Sequence, residues 1–179
     1  LYKISKGKQH QYLKDDAALS DYLTGAALDG AAIHVNDSAP PLGGEALQAI
    51  VSQYQTVESI IARRSRHYPD DLLWELVFGP KLTEQSLQDQ AEISAFTQKV
   101  SERLQLLRTK GTSYAVEVSR DENGTPFPLV KMLAHGVERQ IQLKPEFFRS
   151  RDYAEMSTLG ETLTGLIEES GYIRRGEKT

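Results

Sequence analysis

Glu45-Ala46-Leu47-Gln48-Ala49-Ile50-Val51-Ser52-Gln53-Tyr54-Gln55-Thr56-Val57-Glu58-Ser59-Ile60-Ile61-Ala62-Arg63-Arg64-Ser65-Arg66-His67 is the stretch whose reading decides the fold. Leu47, Ile50, Val51, Tyr54, Val57 and Ile61 recur at i, i+3, i+4 and i+7. At the helical period they share one stripe about 120° wide. Gly43 and Gly44 precede the run and Pro69 follows it, so both ends are marked. Burying six such side chains contributes roughly 1.5–3 kcal/mol each before entropy. The sum is comparable to a domain's net stability of about 5–15 kcal/mol. The spacing therefore predicts a long amphipathic helix acting as the spine of the core.

Working outward, Pro69-Asp70-Asp71 predicts a second helix with acids in its first turn, where they favour the helix dipole. Leu72, Leu73, Trp74, Leu76, Val77 and Phe78 make it apolar nearly all round, so it should be buried or covered by a partner. Trp74 is its docking candidate. Thr83 or Asp89 can cap a third helix carrying Ile93, Phe96, Val100, Leu104 and Leu107, ending near Arg108 and Lys110. It is expected to lie near-antiparallel on the spine. A β-meander follows, with turns at Asn123-Gly124 and His135-Gly136. Pro126 and Pro128 argue that its second strand begins at a sheet edge. Pro145–Phe148 reads as a short helical turn. Thr158 and Glu161 fit a capping box for a last helix with Leu159, Leu163, Leu166 and Ile167 on its apolar face. Tyr172–Arg175 reads as a final strand after Gly171. Toward the N-terminus, Asp29-Gly30 between Ala26–Leu28 and Ala31–Val35 predicts a hairpin, with His34 a surface or half-buried strand residue. Leu1–Ser5 and His10–Lys14 read as two strands around Lys6-Gly7-Lys8-Gln9. The fold class expected is α+β, with long amphipathic helices packed against a small antiparallel β-meander and β-hairpins.

The totals limit the function classes. The chain has 179 residues, enough for one real core or two small ones. Net charge is −4, whereas a compact nucleic-acid binder is usually basic, so any nucleic-acid surface must be local. There is no cysteine, which rules out disulfides and thiolate metal sites within the chain and fits a cytoplasmic setting. The start, Leu-Tyr-Lys, reads as a piece of a longer protein. No cluster has metal-ligand spacing, no Asp-x-Asp occurs, and no phosphate loop or nucleophile elbow is present. Asp15-Asp16 are neighbours pointing differently, and Glu168-Glu169 read as a solvated face. A small independent enzyme would need converging titratable groups, and none is indicated.

Lys3, Lys6, Lys8 and Lys14 lie in the first fourteen residues, which contain no acid. Four such cations form a phosphate-contact surface, or they protect the exposed edge of a hairpin. Arg63 and Arg66, opposite the apolar stripe, either contact DNA or complement the helix C-terminus.

Leu1-Tyr2-Lys3-Ile4, Lys6-Gly7-Lys8-Gln9 and Gln11-Tyr12-Leu13-Lys14-Asp15-Asp16 resemble the B subunit of bacterial DNA gyrase, in the late part of its metal-binding Toprim domain. Ala27-Leu28-Asp29-Gly30-Ala31, Ser38-Ala39-Pro40, Gly44-Glu45-Ala46-Leu47, Leu82-Thr83, His135-Gly136-Val137, Thr158-Leu159-Gly160-Glu161 and Arg175-Gly176-Glu177 resemble the long insertion found in that protein in many Gram-negative bacteria. The resemblance implies a Toprim tail over residues 1–16, an insertion domain over 17–172, and a return strand over 173–179. It implies no catalytic, metal or cofactor residue in this chain. The ATP site and Mg²⁺ carboxylates of such a parent lie upstream, and its cleaving tyrosine is in the A subunit. Implied partners are double-stranded DNA, the gyrase A subunit and the remaining gyrase B domains of an A2B2 heterotetramer, with no membrane. The implied role is accessory: bracing the DNA-gate region and aiding DNA binding, or docking on other gyrase parts. An inserted domain should also have its two ends, near Lys14 and Arg175, close together. The first hairpin, away from its host sheet, is expected to be loose or paired with a neighbour.

Overall fold

A computed structural model describes residues 1–36, 38–107, 111–166 and 171–176, with Lys6 described by its backbone. The expected positions Arg108, Lys110, Ile167, Glu168 and Glu169, and residues 177–179 of the return strand, lie outside that set. In chain order the elements are β1 (Tyr2–Lys6), β2 (Gln9–Leu13), α1 (Asp16–Leu28), β3 (Ala31–His34), β4 (Leu42–Gly43) and α2 (Gly44–Arg64). Then come α3 (Asp70–Phe78), a 3-10 turn (Ser86–Gln88), α4 (Gln90–Leu106), β5 (Thr112–Arg120), β6 (Pro126–Ala134) and β7 (Val137–Gln142). The chain finishes with α5 (Pro145–Phe148), α6 (Arg151–Thr164) and β8 (Tyr172–Arg175). This is the expected α+β class. It divides into two units: Leu1–Gln55 with Gly165–Thr179, and Thr56–Thr164.

The second unit holds the large core. Its centre is α3, where Leu72, Leu73, Leu76 and Val77 are all fully buried, as an all-round apolar helix demands. Val57, Ile60 and Ile61 of α2, Ile93, Phe96, Val100 and Leu104 of α4, and Met156 and Leu159 of α6 complete it with the meander. The spine helix is present, but it does not serve one core along its length. Its residues through Gln55 belong to the first unit, where Leu47 is buried, Ile50 and Val51 are half-buried, and Tyr54 is 39% exposed. The principal neighbours of α4 are α3 and β5, not the spine, and Leu107 lies past its end. Asp89 is its cap, accepting from Ala91 N–H at 2.7 Å.

The meander has the order β5-β6-β7, so β6 is central and the edge placement of its prolines is corrected. A central strand tolerates them because the Pro128 carbonyl accepts from Leu143 N–H, on the β7 side. A strand residue's N and O point to the same side, so Pro126 and Pro128 withhold no donor from β5. The β6–β7 ladder itself starts only at Leu129. The β6–β7 turn has positive φ at both His135 (50°) and Gly136 (81°), the geometry that matches strand twist.

Two expected boundaries move. Thr158 does not start the last helix, because it lies inside α6 and its hydroxyl bonds back to Ala154 O. The start belongs to Ser150, whose hydroxyl accepts from Tyr153 N–H. In the first unit, Asp29-Gly30 is not a hairpin turn. Residues 16–28 form helix α1, capped by the Asp15 carboxylate accepting from Ala18 N–H at 2.9 Å. Gly30 (φ 69°) turns the chain out of that helix into β3. There β3 pairs with both β4 and β8, and His34, half-buried, stacks on Tyr172 at 4.5 Å. The β8 register places Arg175 opposite Ala31, and Gly176 N–H donates to Gly30 O at 2.9 Å.

Candidate nucleic-acid interface

β1 and β2 pair antiparallel from Tyr2↔Leu13 to Lys6↔Gln9, with Gly7-Lys8 as the turn. Alternation of side chains separates two faces. Tyr2, Ile4, Gln11 and Leu13 share one of them. It is tied to α1, since Tyr2 donates its hydroxyl proton to Asp16, and that bond raises the pKa of the phenol. Leu13 is buried, and Ile4, Gln9 and Gln11 line a cleft of about 410 Å³ with Tyr22 of α1, which His10 of the other face also borders. Lys3, Ser5, His10 and Tyr12 share the other face, and all four are exposed. Lys3 Nζ stands 6.0 Å from the centre of the Tyr12 ring, and Ser5 Oγ is 2.8 Å from His10 Nδ1. Lys8 is exposed in the turn and Lys14 beside the cap of α1.

The arginine candidates behave differently. Arg63 and Arg64 converge on Asp152 at 2.8 and 2.6 Å. Burial alone would raise the Asp152 pKa, but the two guanidiniums outweigh it and hold the carboxyl below its usual range. Arg66 is exposed in the turn after α2. These arginines belong to the second unit and the lysine hairpin to the first. Trp74 is half-buried on α3 and stacks on Phe78 at 5.9 Å.

Three charged groups escape a reading of the sequence. Glu75 is 5% exposed inside the apolar run of α3 and is held by Arg103 of α4. Burial raises its pKa, with Arg103 and Lys81 opposing. Lys81 donates to Leu76 O at 3.0 Å and to Val77 O, filling the last carbonyls of α3. Burial lowers its pKa to about 8, against the pull of Glu161 and Glu75. Partners 28 residues apart, as Glu75 and Arg103 are, leave no periodic signal, so only the folded chain brings them into view. Among the described residues, no group of three or more acids or histidines is placed to hold a metal ion, and no helix is long and apolar enough to cross a membrane.

Comparison with known proteins gives two consecutive family matches. A family described as "DNA gyrase B subunit insert domain" matches residues 31–179, and one described as "GyrB, hook" matches residues 1–28. The chain is similar to the DNA gyrase B protein of Caulobacter vibrioides, in two strains, at 25% identity over 179 residues. That alignment covers 100% of this chain and 20% of each relative. It is 30% identical to the DNA gyrase B protein of Myxococcus xanthus over 86 residues, 48% of this chain and 10% of that protein. The chain thus spans about a fifth of the length of the Caulobacter relatives, 20% by alignment.

Proposed function

Because the chain belongs to the DNA gyrase B insert domain family, we propose that it works without a reactive centre of its own, shaping how the parent protein holds double-stranded DNA. In this reading the parent is a type II topoisomerase using ATP and Mg²⁺ with a gyrase A subunit, and the present chain braces its DNA-gate region. The observation that carries the reading is the pairing of Ala31 with Arg175, which returns the chain to the place it left. Residues 1–28 then belong to the host, next to its Toprim region, and residues 31–175 to the module. In this proposal the boundary falls near the end of α1, between the two family matches, and not at residue 16. The host segment carries the cations: Lys3, Lys8 and Lys14 are exposed, and neither β1 nor β2 contains an acid.

The test is salt-dependent DNA binding by the full-length gyrase B protein in its native complex. Three neutralised phosphates correspond to a log–log slope contribution of roughly −2.7. Replacing Lys3, Lys8 and Lys14 with alanine is expected to flatten the slope by about that amount and to weaken binding uniformly across sequences. An unchanged slope would end the DNA reading and leave bracing alone.

A second reading, docking on another gyrase part, is favoured by the Trp74–Phe78 stack, in which Phe78 is 41% exposed. A fully buried Trp→Ala change costs about 3–5 kcal/mol. For half-buried Trp74 the expected loss is about 2 kcal/mol by denaturant titration, alongside weaker assembly with the gyrase A protein. A larger stability loss with assembly intact would make Trp74 a core residue only.

A further inference from the structure

The outward face of the hairpin carries more than lysine. Its two cross-strand couples, Lys3 with Tyr12 and Ser5 with His10, stand side by side on one surface. All four are exposed, while the opposite face is occupied by the Tyr2–Asp16 bond and buried Leu13. We propose that Ser5, His10 and Tyr12 join Lys3 in a strip that tracks the phosphate backbone of double-helical DNA, a deepening that rests on the DNA reading above.

The chemistry of each group supports this. Phosphate oxygens are acceptors, and a surface that follows them needs donors of several kinds. Lys3 supplies a charge, steadied by the Tyr12 ring. Tyr12, 63% exposed, presents a phenolic hydroxyl in a rigid frame. When the Ser5 hydroxyl donates to His10 Nδ1, the imidazole proton sits on Nε2. With Nδ1 engaged by Ser5, His10 has Nε2 left as the ring nitrogen to offer a phosphate oxygen. Ser5 is a positioning residue: its hydroxyl, 2.8 Å from His10 Nδ1, orients the ring and need not touch DNA itself. A two-stranded ribbon also has the width to lie along a major groove.

The test uses the full-length gyrase B protein in its native complex, with a short fluorescein-labelled duplex read by anisotropy across a salt series. Tyr12→Phe keeps the ring and its contact with Lys3 but removes the hydroxyl. It is expected to weaken binding about three- to tenfold with an unchanged salt slope, since a neutral hydroxyl releases no counterion. His10→Ala is expected to weaken binding by a similar factor, and His10→Gln, which retains a side-chain donor, to restore most of it. Ser5→Ala should fall between wild type and His10→Ala. If Lys3→Ala with Lys8→Ala lowers affinity and slope while Tyr12→Phe and His10→Ala bind within about twofold of wild type, the strip is refuted and the lysine reading stands. If none of these variants changes binding, both fail. Equal losses for His10→Ala and His10→Gln, with Tyr12→Phe silent, mark a structural role and also refute the strip.

Discussion

Gly160→Ala is expected to destabilise the second unit by about 3 kcal/mol or more, a large share of a domain's net stability. Gly160 lies on the face of α6 packed against the end of α3. A Cβ built there falls inside the van der Waals shell of Val77 O, 2.9 Å from the Val77 carbonyl carbon and 2.8 Å from Lys81 Nζ. The first two are backbone atoms of Val77, which is fully buried, and cannot step aside without parting the helices. Lys81 would also lose its place on the α3 carbonyls. Helix propensity acts in the opposite direction, by up to about 1 kcal/mol in favour of alanine, and is overridden by the clash. Gly25→Ala in α1 is the control. Its Cβ would meet only the Gln48 amide, at 3.8 and 4.0 Å, in ordinary contact. That change is expected to stabilise by about 0.5–1 kcal/mol. Guanidinium midpoints of the two variants should therefore move in opposite directions, and parallel shifts would remove the packing argument.

Arg103→Ala carries the second large effect. It strips the partner from Glu75, which is 5% exposed, while Arg103 itself is 47% exposed at its side chain. Breaking a fully buried pair costs about 3–5 kcal/mol. With one partner half in water, the expected loss at neutral pH is nearer about 2–3 kcal/mol. The loss depends on pH in a definite direction. The folded-state pKa of Glu75 is already raised by burial, so folded chains hold its proton longer than unfolded ones. Its contribution to stability is thus largest below the unfolded pKa and falls as pH rises through the folded value. Removing Arg103 and its favourable charge raises the folded value further, so the fall continues to higher pH. Thermal unfolding should show wild type and Arg103→Ala converging in acid and separating toward neutrality. Adding Glu75→Gln to Arg103→Ala should abolish that separation. A pH-independent difference would mean that the guanidinium acts through packing, not charge.

What the residues disclose before folding depends on the range of the interaction. Helix α3 was legible because six apolar side chains in seven positions leave no polar face, and the structure buries its middle completely. The meander was legible because its turns need residues that accept positive φ, and Gly124 and Gly136 supply them. Asp29-Gly30 misled because glycine with positive φ ends a helix as readily as it reverses a hairpin. The deciding contact is the Asp15 cap, at the far end of the helix that this glycine closes. Thr158 misled for a related reason: a hydroxyl within a helix can satisfy itself on Ala154 O, while Ser150, without a glutamate at the matching place, does the capping. In the candidate interface, the lysines were visible as a charge run. Their division into faces was not, since it depends on the β1–β2 register that couples Lys3 to Tyr12 and Ser5 to His10.

If residues 31–175 are an inserted module, as proposed above, the rung that joins Ala31 to Arg175, with Gly176 bonded to Gly30, sets the distance its host chain must span where the module leaves and returns. Opposed residues of an antiparallel pair stand about 4.5–5.5 Å apart, scarcely more than one peptide step. Excision between those residues leaves a gap that a residue or two can bridge, and the reverse event opens the host by no more than that. On that proposal, gain or loss of the segment asks the host backbone for no more than a short join at this one place.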